Sequence, residues 1–226
     1  METIRAVLLD VDNTLLDFDK CAAAVIRTLF VEEGLPFSDG TLAVFHRINN
    51  ALWKEIEQGT LTRDRLHQIR WVRIFEQLGL QQDGHAFEKR FVQGLAESHE
   101  PVEGAPALLR YLAGRYTLCI ASNSTYAQQH RRLELAGMLP FVQHLFVSET
   151  IGAPKPSRAF FTHCLDQLSL PAGEVFLIGD SLTADIQGGT ACGIPTCWFN
   201  PRCAELPPAF HPDFVVNSLQ EIERIL

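Results

Sequence analysis

The stretch IRAVLLDVDNTLLDF, residues 4–18, decides how the rest of the chain is read. Ala6 to Leu9 form a short, continuous aliphatic run, the pattern of a strand buried on both faces. The run ends abruptly in Asp10 and Asp12. Asn13 and Thr14 follow, residue types that favour leaving a strand through a turn. Two acids one residue apart therefore stand at the carboxyl end of a buried strand.

Working outward, the next eighty or so residues change rhythm. CAAAVIRTLFVEEG (21–34), GTLAVFHRINNALWKEIEQG (40–59), TRDRLHQIRWVRIFEQLG (62–79) and GHAFEKRFVQGLAESH (84–99) all carry helical spacing. Three of them end at Gly, and Thr62 has the character of an N-cap. From Pro101 onward helices and strands alternate. The strands expected are YTLCIAS (116–122), HLFVSE (144–149), EVFLIGD (174–180), PTCWF (195–199) and FVV (214–216). The helices expected between and after them include TYAQQHRRLELAG (125–137), SRAFFTHCLDQL (157–168), TADIQGGTACG (183–193) and a terminal SLQEIERIL (218–226).

Alternation of this kind implies a parallel sheet covered on both faces and joined by right-handed crossovers. The fold class expected is α/β, a doubly wound Rossmann-like sheet. Its core comprises residues 1–15 and 101–226, and residues 16–100 form an inserted all-helical domain. In such a sheet the ligand crevice lies beyond the carboxyl ends of the strands. Those ends deliver Asp10 and Asp12, then Ser122 and Asn123, then a loop carrying Lys155, then Asp180 with Asp185 close behind.

Composition narrows the function. A formal net charge of -8 argues against a nucleic-acid polymer bound on a broad basic surface. No basic stretch precedes a long apolar one, and no apolar run approaches the ~18 residues of a membrane span. Six cysteines without a CxxC pair point to reduced, mostly buried thiols and a cytoplasmic setting.

Asp10, Asp12 and Asp180 would converge at one mouth. Two carboxylates about 4 Å apart repel by roughly 4 kcal/mol at an effective dielectric near 20, so such a cluster calls for a proton or a cation. Oxygen-only ligands suit Mg²⁺, and the cluster lacks the His and Cys ligands that zinc prefers. Lys155 and the Ser122 hydroxyl add what a phosphoryl group needs to be held. A carboxylate can attack phosphorus to form an aspartyl-phosphate, while a second protonates the leaving oxygen and later activates water.

The motifs DVDNT (10–14), SN (122–123), KP (155–156) and GDSLTAD (179–185) stand in the order used by the haloacid dehalogenase-like hydrolase superfamily, which the chain resembles. The resemblance implies that Asp10 is the nucleophile and a Mg²⁺ ligand. It implies that Asp12 is the general acid/base, with its backbone carbonyl on the metal. Ser122, with Asn123 beside it, would bind the phosphoryl group, Lys155 would hold phosphate and nucleophile, Asp180 would complete the metal site and Asp185 would support it. The helical insertion is similar to the superfamily's cap, a lid with hinges near Leu16–Asp19 and His99–Gly104 that selects the substrate. An acid at position 12 resembles the phosphatase and phosphoglucomutase branches and not the dehalogenases. The runs DNTLLDF (12–18) and IGDSLTADIQGGTACGIPTCWFNP (178–201) resemble the pyrimidine 5'-nucleotidase subgroup, so the implied partner is a small phosphorylated metabolite, a nucleotide.

Other readings use the same residues. A sugar-phosphate phosphatase or a phosphoglucomutase-like transferase needs the same constellation, and a non-catalytic phosphorylatable switch needs most of it. Outside the motifs, the eight histidines show no ligand spacing. Trp53, Trp71 and Phe75 read mostly as core of the helical block, with one or two left to face the active site and stack a base, and Arg63, Arg65 and Arg70 read as a solvated helix face. Gly188-Gly189 reads as helix packing in preference to a phosphate loop.

Overall fold

A computed structural model describes residues 3–226; the first two residues of the expected core lie outside the described residues. The strands are β1 (Ala6–Leu9), β2 (Thr117–Ser122), β3 (His144–Val147), β4 (Val175–Gly179), β5 (Thr196–Phe199) and β6 (Phe214–Val216). They form one parallel sheet in the order β3-β2-β1-β4-β5-β6. The order reverses direction between β1 and β4, which places the crevice of this doubly wound sheet at their carboxyl ends.

The chain divides into two compact units. One runs to Phe18 and resumes over His99–Leu226; the other is Asp19–Ser98. In the sheet unit, alternate residues feed two cores. Val7, Leu9, Leu118, Ile120, Phe176 and Ile178 pack on one face with Leu108, Leu109 and Leu112 of helix α5 (Ala105–Leu112). Ala6, Leu8, Cys119, Ala121, Val175 and Leu177 pack on the other with Phe160, Phe161 and Cys164. Both faces are apolar, which is why β1 reads as an unbroken aliphatic run.

The helical unit contains α1 (Phe18–Glu32, all but its first residue), α2 (Asp39–Glu57), α3 (Arg63–Leu78) and α4 (Gly84–Ala96). Its helix ends follow the local signals. Gly34, Gly59 and Gly79 take positive φ at the helix exits, and the Thr62 hydroxyl accepts from the Arg65 backbone N–H at 3.2 Å. Phe30, Phe45, Phe75, Phe87 and Phe91 surround Trp71, whose ring centroid lies 4.2 Å from that of Phe87. Each fully buried ring of this kind stabilises by roughly 1.5–3 kcal/mol. Trp53 is half-buried against Leu52, Ile56 and Leu66.

Arg70 departs from the expected solvated face. It is buried, donating to Glu88 Oε2 and Oε1 at 3.1 and 2.5 Å and to Asn49 Oδ1 at 2.9 Å. It lies four residues from both Leu66 and Ile74 on the buried stripe of α3, and Glu88 makes that burial tolerable. Arg65 stays exposed and Arg63 half-buried.

The later elements are α6 (Tyr126–Leu135), α7 (Ser148–Ile151), α8 (Arg158–Leu168) and α9 (Gly188–Ala191). The single turn α7 directly after β3 was not expected from the sequence. The expected terminal helix is a 3₁₀-helix, Leu219–Arg224. The expected helix over 183–193 is split. Leu182–Gln187 is a widened π turn, followed by the short α9. Gly188 and Gly189 are packing glycines: a Cβ at Gly188 would lie 2.5 Å from the Phe161 ring, and one at Gly189 2.7 Å from Leu177. Among the described residues no helix is long and apolar enough to cross a membrane.

Candidate active site

β1 ends by donating the Asp10 backbone N–H to the Ile178 carbonyl at 3.0 Å, which keeps Asp10 in register with β4. The chain then leaves the sheet in a tight loop. The Val11 carbonyl accepts from Leu15 and Leu16, and Asn13 takes φ 63. Asparagine tolerates this left-handed backbone, so the polar DNT run is the device that turns the chain and sends the two acids in different directions.

Asp10 faces a buried ammonium. Lys155 Nζ donates to Asp10 Oδ1 at 2.7 Å, to Asp185 Oδ1 at 2.6 Å and to the Ala121 carbonyl at 2.6 Å, which uses all three of its protons. Lys155 is buried, in contrast to the solvated position usual for a loop lysine. Asn123 holds it there: its Nδ2 donates to the Lys155 carbonyl at 2.9 Å and its Oδ1 accepts from the Lys155 N–H at 2.7 Å. The Asn123 side chain is thus engaged with the backbone of the Lys155 loop, where the resemblance implied phosphate binding. Asp185 comes inward on the π turn and accepts from the Ser181 N–H at 3.1 Å. Gly179 makes room for it, since a Cβ at that position would lie 2.2 Å from Asp185 Oδ2. Asp180 follows Gly179 at the end of β4, and its carbonyl accepts from Trp198 Nε1 at 2.9 Å.

Carboxylate oxygens of Asp10, Asp180 and Asp185 all lie within 4.8 Å of one another. With all three acids ionised against one ammonium, two negative charges would be left over. Burial pushes the Asp10 carboxyl up, Lys155 opposes this, and the neighbouring Asp185 and Asp12 add to it, so that its pKa reaches about 7. Burial, Asp10 and Asp185 raise Asp180 well above the usual carboxylate range. Burial disfavours the Lys155 ammonium, but Asp10 and Asp185 outweigh it and hold its pKa above the ordinary value. Oxygen-only donors with this surplus charge fit a hard divalent cation such as Mg²⁺, and Asp10, Asp180 and Asp185 are the residues that would hold it.

Asp12 turns the other way. Its Oδ1 accepts from Arg132 Nη1 at 2.5 Å and its Oδ2 from Gln129 Nε2 at 2.8 Å. The same Gln129 nitrogen donates to the Ser122 hydroxyl at 2.9 Å. Ser122 is buried at the end of β2, so Gln129 links a strand-end hydroxyl to the second acid. The structure therefore brings Asp10, Lys155, Asp180 and Asp185 into one cluster, and Asp12 and Ser122 into a second network beside it.

Gln129 and Arg132 had no part in the motif reading. Their signal was present in TYAQQHRRLELAG all the same. They lie three residues apart on the face of α6 that carries Leu133, so two long polar side chains occupy its buried side.

The family model for haloacid dehalogenase-like hydrolases matches residues 4–193. The chain is 34% identical over 227 residues to the HAD-hydrolase YfnB of Bacillus subtilis, covering 100% of this chain and 97% of that protein. It is 34% identical over 220 residues to the pyrimidine 5'-nucleotidase PynA of Streptococcus pneumoniae, covering 96% and 93%. It is 29% identical over 221 residues to the pyrimidine 5'-nucleotidase YjjG of Escherichia coli, covering 97% and 96%. The crystal structure of magnesium-bound YfnB superposes with a TM-score of 0.94, covering 100% of this chain and 99% of that one. Sheet order, strand-end acids and these matches agree, and the chain belongs to the haloacid dehalogenase-like hydrolases.

Proposed function

We propose that the protein is a Mg²⁺-dependent phosphomonoesterase that works through an aspartyl-phosphate on Asp10 and acts on pyrimidine nucleoside 5'-monophosphates. The observation that carries this reading is the division of labour at the end of β1. Asp10 sits against Lys155 and the acid cluster, while Asp12, two residues on, is held by Gln129 and Arg132. Two carboxylates with separate partners can take the separate roles of nucleophile and proton carrier.

In the first half-reaction an Asp10 oxygen attacks phosphorus and the bond to the leaving oxygen breaks. Asp12 delivers its proton to that oxygen, which departs as the alcohol. In the second, Asp12 takes a proton from water, the water oxygen bonds to phosphorus, and the bond to Asp10 breaks, releasing phosphate. Lys155 keeps the nucleophile in place and supplies positive charge beside it, and the Ser122 hydroxyl stands ready for a phosphoryl oxygen. Bound Mg²⁺ would neutralise charge on the phosphoryl oxygens and on Asp10. The choice of pyrimidine nucleotides rests on the kinship with PynA and YjjG.

A phosphate-release screen tests the reading, using nucleoside 5'-monophosphates and sugar phosphates with Mg²⁺ and with chelator. The expected result is Mg²⁺-dependent release, fastest from UMP, CMP or dTMP. Equal turnover of sugar phosphates would remove the nucleotide assignment. Undiminished turnover in chelator would remove the metal.

A further inference from the structure

We infer that Arg132 and Gln129 are positioning residues that fix the orientation of the Asp12 carboxylate for proton transfer, and that they couple it to Ser122. The inference rests on the phosphomonoesterase reading and adds two residues of α6 to its machinery.

The geometry is specific. Asp12 is about one-third exposed in its side chain, yet both of its oxygens are engaged from the protein side, one by each partner. The Arg132 side chain is wholly buried. Burying a guanidinium is costly unless it is paired, and the strand-end acid Asp12 is its ionic partner. Gln129 is itself locked. Its Nε2 divides its two protons between Asp12 Oδ2 and Ser122 Oγ, and its Oε1 accepts from Arg132 Nη1 at 3.2 Å. Flipping that amide would set its carbonyl against the Asp12 carboxylate and its NH₂ against the guanidinium, so the network admits one arrangement. Helical spacing supplies the pair, because residues 129 and 132 lie on one face of α6, one turn apart.

A carboxyl group that must give a proton to the leaving oxygen and then take one from water needs the same oxygen aimed at the same point twice. Two fixed partners, one on each oxygen of the carboxylate, accomplish this. The Ser122 link adds a second consequence: the hydroxyl offered to the phosphoryl group and the acid offered to the leaving group are held by one amide.

A purely structural role, pinning α6 to the end of β1, predicts something different from a positioning role. Departure of an alkoxide needs the proton from Asp12, whereas p-nitrophenolate leaves with little help. The value of kcat/KM covers only the steps up to departure of the leaving group, so it isolates that demand. The test uses the full-length Mg²⁺-loaded protein as wild type, R132M, R132K and Q129L, with p-nitrophenyl phosphate and a nucleoside 5'-monophosphate as substrates. The expected result is that R132M lowers kcat/KM for the nucleotide at least about tenfold more than for p-nitrophenyl phosphate, with R132K recovering part of the difference. Q129L should show a smaller gap of the same sign, and it carries the test if R132M does not fold. Equal losses on both substrates in folded variants, or no loss, would overturn the inference. If the wild type hydrolyses neither ester, the phosphomonoesterase reading itself fails and takes this inference with it.

Discussion

The Arg70–Glu88 pair of the helical unit and the Lys155–Asp10–Asp185 cluster of the sheet unit are both buried, and they close differently. Arg70 grips Glu88 through two nitrogens, spends a third on Asn49, and lies 4.8 Å from the Phe91 ring centroid. His67 adds a contact to Glu88 Oε1 at 2.7 Å. One acid meets one guanidinium, and the charge is balanced within the fold. In the sheet unit one ammonium meets Asp10 and Asp185, with Asp180 alongside, and negative charge is left over. The first arrangement explains itself as architecture. The second is incomplete as architecture: it lacks the positive charge that a bound cation would supply.

Titration separates the two clusters. Burial works against the Glu88 carboxylate, but the bonds from His67 and Arg70 hold its pKa below the ordinary value. In the sheet unit the Asp10 carboxyl is raised. A closed pair should therefore respond to mutation and pH as a stabilising element, and the open cluster as a binding one.

The largest stability effect is expected in the closed pair. E88Q leaves the Arg70 charge buried without its counter-ion and should cost about 3–5 kcal/mol. Denaturant unfolding measures this, and a loss under 1 kcal/mol would show that the pair is not the staple described. Next comes G179A, whose new Cβ would collide with Asp185 and push it off Lys155. Mg²⁺ affinity should fall by roughly 10–100-fold, read by calorimetry, with a smaller change in melting temperature. Unchanged affinity would remove Asp185 from the metal site.

The smallest effect is the pH response, and its sign is opposite in the two clusters. Without metal, folded Asp10 keeps a proton that the unfolded chain gives up between about pH 4 and pH 7, so its contribution to stability is lost as pH rises through that window. Glu88 contributes above its ordinary pKa and loses that contribution as pH falls through the lowered value. Mg²⁺ competes with the Asp10 proton, so it should raise the melting temperature more at pH 8 than at pH 5. Trp198, whose indole touches the Asp180 carbonyl, is a fluorescence reporter for the sheet unit, and Trp71 for the helical one. An equal Mg²⁺ shift at both pH values would contradict the open-cluster account.

What could be read from the sequence follows the same contrast. β1 was legible because burial on both faces leaves an unbroken aliphatic run, and Asp10 and Asp180 because strand ends in a parallel sheet have only one place to deliver polar groups; Lys155, in a loop eight residues past the end of β3, was legible only through its place in the motif order. The helix exits at Gly34, Gly59 and Gly79 were legible from local backbone demands alone. Arg70 was not, because a charge among charges on a helix reads as solvent-facing until its partner, eighteen residues on, is known. Arg132 and Gln129 were missed for the same reason: their partner Asp12 is more than a hundred residues away in the chain. The π turn at Leu182–Gln187 was read as ordinary helix, since its widening depends on where Asp185 must reach and not on local propensity.

The central claim is that Asp10 is the atom donor to phosphorus. Acid-quenching the Mg²⁺-loaded protein during turnover of a nucleoside 5'-monophosphate, followed by peptide mass spectrometry, tests it directly. The account predicts one phosphoryl group on the peptide spanning residues 6–18, absent in D10N, with D10N folded and slower by at least about 10³-fold. Phosphate release by D10N at the wild-type rate, or rapid turnover with the phosphoryl group found on another peptide, would contradict it.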